Sequence, residues 1–234
     1  MQFQTPLLRA KLRQRYKRFL ADAVLESGEE VTAHCGNPGK MTGLAETGST
    51  IWVEPNDDPK RKLNYAWKIA EIPDGLAIVD TNMANRIVAE ALTTGQISPL
   101  AAYDTIRPEV RYGNNNRVDF MLQSKGLPDC YLEVKSVTLS LGSARAAFPD
   151  TKTARGARHM AALADMVGQG HRAILLYLVN RTDCETFELA ADIDPTYDEA
   201  ATLAANAGVE SICFRTDITL DAASLGPQLP IQKT

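Results

Sequence analysis

The sequence predicts an α/β protein in two parts, a small β-barrel over residues 1–80 and a mixed β-sheet flanked by helices over residues 81–234. Three observations predict it. Short alternating segments punctuated by glycine, proline and asparagine fill the first third. Near Thr81 the apolar spacing changes from that of a strand to that of a helix. Further on, residues 173–179 form a continuous apolar run, as in a strand buried on both faces.

The barrel opens with Arg9, Lys11, Arg13, Arg15 and Lys17 at alternate positions, and Leu8, Ala10, Leu12 and Tyr16 between most of them. A strand puts all five cations on one face; a helix would scatter them. Such a stripe suits a phosphate track, with Tyr16 and Phe19 as stacking surface, while its plainer reading is a wetted barrel exterior. Residues 21–32 read as strand and turn, with Gly28 at the turn. A glycine-rich loop at 34–43 precedes an alternating strand at 50–54, and Lys60, Arg61 and Lys62 lead into a strand at 65–70. The loop lacks the spacing of a nucleotide-binding loop and reads as a turn. Short strands with this punctuation fit an oligonucleotide-binding (OB) type of barrel.

In the second part, Met83, Ala84, Ile87, Val88, Ala91 and Leu92 mark a helix that Gly95 ends. Residues 109–112 pair with 117–122 across an asparagine-rich turn at 113–116. A second hairpin joins 117–122 to 131–137. Residues 143–153 look irregular, 155–167 read as a helix closed by Gly168 and Gly170, and Asp194-Pro195 opens another that ends near Gly208. Residues 209–214 form the last strong strand.

The chemistry concentrates on the second hairpin. With pairing symmetric about Gly126, Asp119 lies across from Glu133 and alternation puts Lys135 on the same face, whereas Val118, Phe120, Leu132 and Val134 point the other way. Two adjacent carboxylates repel unless a positive group sits between them, and a divalent metal with oxygen ligands answers that need. The plainer alternative is the solvated side of a half-buried sheet. A slip of one residue would remove the constellation.

Composition narrows the function. At 234 residues and 44% hydrophobic the chain can bury a sizeable core. No apolar run reaches the length of a membrane span and no signal peptide is read, so the cytoplasm is the expected compartment and no membrane partner is expected. Cys35, Cys130, Cys184 and Cys213 are too scattered for a zinc or redox motif, and three histidines argue against a histidine-based metal cluster. Net charge is −4, yet residues 1–62 carry ten Lys/Arg against eight Asp/Glu, while residues 165–234 carry four against eleven. The basic excess therefore lies in the barrel half.

A mixed sheet with Asp on one strand and Glu-x-Lys on the next resembles the PD-(D/E)xK, or restriction-endonuclease-like, nucleases. Longer stretches resemble the sugar fermentation stimulation protein A family: Arg15 to Asp22, Arg61 to Leu63, Tyr112 to Asn115, Arg117 to Phe120, Glu133 to Leu139, Phe148 to Asp150, Arg155-Gly156 with His159, and Asp194-Pro195 with Tyr197. The chain departs from the family's pattern at Pro38 and Lys40, where threonine and serine are usual, and at Arg158, where lysine is.

This resemblance implies an OB-type N-terminal domain, a nuclease-like C-terminal domain, and DNA binding with little sequence preference. It implies that Asp119, Glu133 and the Val134 carbonyl hold Mg²⁺ or Mn²⁺ and that Lys135 positions the attacking water; a plain ion pair is the other role open to Lys135. A third acid is expected. Glu109 and Glu90 are the candidates, Glu109 depending on the parity of its hairpin, with Asp150 behind them. Nucleic-acid contacts are expected from Arg13, Arg15, Lys17, Arg18, Arg61, Lys62, Arg117, Arg155, Arg158 and His159. Two classes stay open, a metal-dependent nuclease and a catalytically silent DNA-binding regulator of sugar (maltose) metabolism genes; a homo-oligomer stays open too.

Overall fold

The computed structural model describes residues 1–113 and 116–232. Six strands come first: β1 (Leu8–Tyr16), β2 (Leu20–Leu25), β3 (Glu30–Cys35), β4 (Thr50–Pro55), β5 (Tyr65–Ile72) and β6 (Gly75–Ile78). Their order is β3-β2-β1-β4-β5-β6, and a parallel pairing of β3 with β5 closes the first five into a barrel. Closure removes the free edges and buries the inward set, with Leu12, Ala33, Ile51 and Trp67 inaccessible to solvent. The expected OB-like barrel is present, and His34 and Cys35, read as loop, belong to β3.

The second part runs α1 (Asn82–Thr93), β7 (Thr105–Tyr112), β8 (Asn116–Gln123), β9 (Cys130–Val137), β10 (Leu139–Ser140), β11 (Arg145–Phe148), α2 (Ala154–Gly168), β12 (Arg172–Val179), β13 (Thr186–Leu189), α3 (Pro195–Asn206), β14 (Glu210–Ile218) and β15 (Ala223–Gln228). The main sheet is ordered β15-β14-β12-β9-β8-β7. It is mixed: β7, β8 and β9 are antiparallel, β9, β12 and β14 parallel, and β15 returns antiparallel. The apolar stripe of α1 packs on one face in a core that also takes in Ile69 and Ile78 from the barrel strands. Helices α2 and α3 cover the other face through Met160, Leu163, Met166 and Tyr197. The parts are stitched together where Ile78 N–H donates to the Asn180 carbonyl at 2.9 Å.

Three expectations are corrected. The basic stripe does not keep one face: the register against β2 shifts between Leu12 and Gln14, so Arg15 pairs with fully buried Ala21. An extra residue in one strand reverses the alternation beyond it. Val118 leaves the side of Phe120 and Leu132 and joins the α2 core with Met121 and Tyr131. The β8–β9 ladder runs from Leu122↔Cys130 to Phe120↔Leu132, and beyond it the Asp119 carboxylate takes the Val134 N–H while Glu109 on the neighbouring strand has a φ of 56°. Finally, residues 143–153 contain β11, which with β10 and β13 forms a small sheet. Asn114 and Asn115 of the expected turn lie outside the described residues.

Candidate metal and phosphate cleft

Glu133 sits in the middle of β9, flanked by β8 and β12, and is 4% exposed. A carboxylate so placed needs partners. Lys135 Nζ and His159 Nδ1 both reach Oε1, at 2.7 Å and 2.5 Å, while Oε2 is buried with no hydrogen-bond partner. Burial pushes this carboxyl's pKa up, but the His159 hydrogen bond and the Lys135 charge more than offset it, leaving Glu133 below its usual range.

Asp119 is anchored from two other elements. Its Oδ2 accepts from the Val134 N–H at 2.7 Å and its Oδ1 from Asn85 Nδ2 of α1 at 2.8 Å. Burial, and then the negative charge of Glu133, hold its pKa above the ordinary value. The β8–β9 ladder ends at Phe120↔Leu132, one residue short of both acids, and the Asp119 carboxylate meets β9 at the Val134 N–H. Both acids line a cleft of about 1050 Å³ and a second, contiguous one of about 730 Å³. Glu109, Arg155 and His159 line both as well.

Helix α2 forms the facing wall, and its start is tightly placed. The Thr153 side chain accepts from Gly156 N–H at 3.0 Å, and Thr153 N–H donates to Asp194, the N-cap of α3, at 2.7 Å. A Cβ on Gly156 would lie 2.8 Å from the Tyr197 ring, so the bare backbone lets α2 settle on α3. Arg155 Nε then donates to His159 Nε2 at 3.2 Å. A barrel loop lines the cleft through Asn37, Pro38 and Gly39. Arg15 fixes it by donating to the carbonyls of Asn37 (2.7 Å) and Gly39 (3.0 Å), and Asp150 accepts from Met41 N–H at 3.2 Å.

The expected site residues thus divide. Asp119, Glu133, Lys135, Arg155 and His159 come together, with exposed Arg117 and Arg158 along the wider cleft. His159 is 7% exposed and engaged with Glu133. Glu109 stands between its neighbours' pairings Pro108↔Phe120 and Val110↔Val118, opposite Asp119, but its carboxylate is 55% exposed and pairs with Arg117 at 3.1 Å. Glu90 is outside the cleft: it is exposed and pairs with the Met1 ammonium at 2.6 Å, because the α1 position that faces Asp119 belongs to Asn85. Asp150 lines the cleft but is committed to the barrel loop. Arg13, Lys17, Arg18, Arg61 and Lys62 are exposed on the barrel and do not line the cleft, and Arg15 is turned into the loop.

Among the described residues no group of three or more His, Cys, Asp and Glu side chains is arranged to hold a metal. The two acids nevertheless fit a hard divalent cation: their oxygens are the donor type it prefers, and the unpartnered Glu133 Oε2 supplies a free acceptor. The four cysteines are free and buried, and among the described residues no helix is long and apolar enough to cross a membrane.

Asn85, Asn37 and Lys152 also line the cleft and lie outside the set expected from the sequence. Asn85 is a polar position between the apolar residues of an amphipathic helix, which is the one available signal.

Comparison with known proteins agrees with this architecture. Residues 82–222 match the model of the sugar fermentation stimulation protein RE domain, and residues 14–79 match that of the SfsA N-terminal OB domain. The chain is 54% identical to a sugar fermentation stimulation protein homolog of Roseobacter denitrificans over 99% of this chain and 100% of that one. It is 54% identical to the homolog of Dinoroseobacter shibae, over 99% and 96%. The structure of Pyrococcus furiosus SfsA in complex with Ca²⁺ superposes with a TM-score of 0.89 at 21% identity, over 100% of this chain and 98% of that one, a likeness of fold. With both of its parts matched, the chain belongs to the sugar fermentation stimulation protein family.

Proposed function

We propose that this protein binds DNA with little sequence preference and that its cleft is a divalent-metal phosphodiesterase site. The observation that carries this reading is Glu133 Oε2, a buried carboxylate oxygen with no partner beside a second carboxylate. Such an atom is costly unless a cation completes it. The division of labour falls at residue 80, with the barrel (1–80) contributing nucleic-acid contacts and residues 81–234 the chemistry.

Asp119, Glu133 Oε2 and the Val134 carbonyl are the groups that would hold Mg²⁺ or Mn²⁺. When bound, the ion acidifies water and offsets charge on the phosphate. The chain's own residues do the rest. Lys135, held 2.7 Å from Glu133 Oε1, keeps an ammonium at the cleft floor to orient a water or a phosphate oxygen. Arg117, Arg155 and Arg158 neutralise the phosphates along the wall, and Asn85 keeps Asp119 turned toward the cleft.

One observation favours the second reading, a silent site in a cytoplasmic DNA-binding regulator of sugar metabolism genes. Lys135 and His159 already compensate Glu133, and no third acid is committed to the pair. Plasmid and single-stranded DNA incubated with Mg²⁺ or Mn²⁺ separate the two. Cleavage lost in Glu133→Ala and Lys135→Ala supports the enzyme; salt-dependent binding with no cleavage on any substrate supports the regulator.

A further inference from the structure

We infer that His159 is a positioning residue: held as the Nδ1–H tautomer by Arg155, it fixes Oε1 of Glu133 so that Oε2 is left as the unpartnered oxygen. The inference rests on the metal-site reading and goes past it by assigning a role to a buried group that would not itself hold the ion. Four observations carry it. His159 is 7% exposed, so its ring is not a surface contact for a polymer. Its Nδ1 lies 2.5 Å from Glu133 Oε1, and a carboxylate can only accept there. Its Nε2 lies 3.2 Å from Arg155 Nε, and a guanidinium can only donate. One proton on Nδ1 and none on Nε2 satisfies both neighbours, since the bond made by one ring nitrogen sets the state of the other.

The consequence for Glu133 is geometric. A glutamate side chain can rotate its carboxylate and exchange its oxygens. Here Lys135 from the same strand and His159 from α2 approach Oε1 from two elements, which removes that freedom and leaves Oε2 as the unpartnered atom. The arrangement has the logic of an outer-shell partner that orients a ligand it does not replace. Arg155 sits one turn before His159 on α2 and lines both parts of the cleft, so the tautomer is fixed from the side on which an anionic substrate would arrive.

Two measurements on the full chain test this. In ¹⁵N-labelled wild type, the imidazole correlations of His159 should show a proton on Nδ1 alone; a proton on Nε2 overturns the inference. Mn²⁺ affinity is then compared across His159→Asn, whose amide nitrogen falls near the Nδ1 position, and His159→Gln, whose amide falls near Nε2. The asparagine variant should stay within about threefold of wild type and the glutamine variant should weaken by about 10–100-fold, the range typical of outer-shell partners. Equal Mn²⁺ losses in the two variants overturn the positioning role. A wild type that takes up no Mn²⁺ yet shows the Nδ1–H tautomer sinks the metal reading and leaves the positioning of Glu133 supported.

Discussion

Replacing Lys68 by methionine removes the cation from a buried ion cluster at the junction of barrel and sheet. Lys68 is 8% exposed, with its ammonium 2.6 Å from Asp80 Oδ2 and 3.6 Å from Glu54 Oε2. Asp80 Oδ1 in turn accepts from the N–H and Nδ2 of Asn82, each at 3.1 Å, so one carboxylate ties β5 to the first turn of α1. Methionine keeps the aliphatic stem but leaves Asp80 and Glu54 without a counter-charge. Removing one partner of a buried pair costs about 3–5 kcal/mol. Asp80 keeps its two bonds from Asn82, so the low end applies, about 3 kcal/mol. With a urea m-value of about 2–3 kcal/mol/M, the unfolding midpoint should fall by about 1 M or more. Lys68→Met combined with Asp80→Asn should lose less than the sum of the two single variants, because neutralising Asp80 removes the orphaned charge. A midpoint shift below about 0.3 M, or strict additivity, would show Lys68 to be a solvated charge with no structural role.

Other outcomes follow from the same contacts. Arg15→Ala should lose about 2–3 kcal/mol, because the carbonyls of Arg18, Asn37 and Gly39 lose a charged donor, without changing the salt dependence of DNA binding; Arg13→Ala should leave stability within about 0.5 kcal/mol and lower the salt slope by about 1, both read by urea titration and fluorescence anisotropy. Asp119 has a raised folded pKa, so its charge opposes folding at neutral pH and the protein gains stability as pH falls through that value. Asp119→Asn should therefore melt above wild type at pH 7, with the gap closing in acid. Glu133 has a lowered folded pKa, so its contribution is full above the unfolded value and is lost as pH falls through the folded one. Glu133→Gln should melt below wild type at pH 7 and converge with it in acid. Gly156→Ala should cost about 1–3 kcal/mol in thermal or urea unfolding, since its Cβ would meet the Tyr197 ring at 2.8 Å.

Much of the fold was legible because periodicity reports burial directly. The α1 stripe of Met83, Ala84, Ile87, Val88, Ala91 and Leu92 is the buried set found in the helix, and the apolar run at 173–179 is the buried central strand β12. The misses have a common physical origin. The shift between Leu12 and Gln14 adds a residue to one strand without leaving any mark in the pattern of charges, so strict alternation puts Arg15 on a face it does not occupy. Strands β11 and β13 are four residues each and lie beside each other only because the chain returns 41 residues later, from Arg145 to Thr186. No local signal announces such a pairing.

The site shows the same boundary between local and tertiary information. Strand alternation places Glu133 and Lys135 on one face of β9, and the hairpin register about Gly126 holds as far as Phe120↔Leu132, one step short of Asp119. What turns those groups into a cleft comes from helices, and a helix's contribution depends on how it docks. Asn85 reaches Asp119 because α1 is seated by its apolar stripe and pinned at Asp80; His159 reaches Glu133 because Gly156 lets α2 close on Tyr197. Both residues are polar side chains in amphipathic helices, a description that also fits solvent-facing positions. The acids were therefore readable as a pair, while the groups that give them unlike electrostatics, one carboxyl pushed up and the other held down, emerge only once three elements meet. That asymmetry bears on function. Two symmetric buried carboxylates would share a proton, whereas an ionised Glu133 with one oxygen pinned and the other free keeps an acceptor available for a cation.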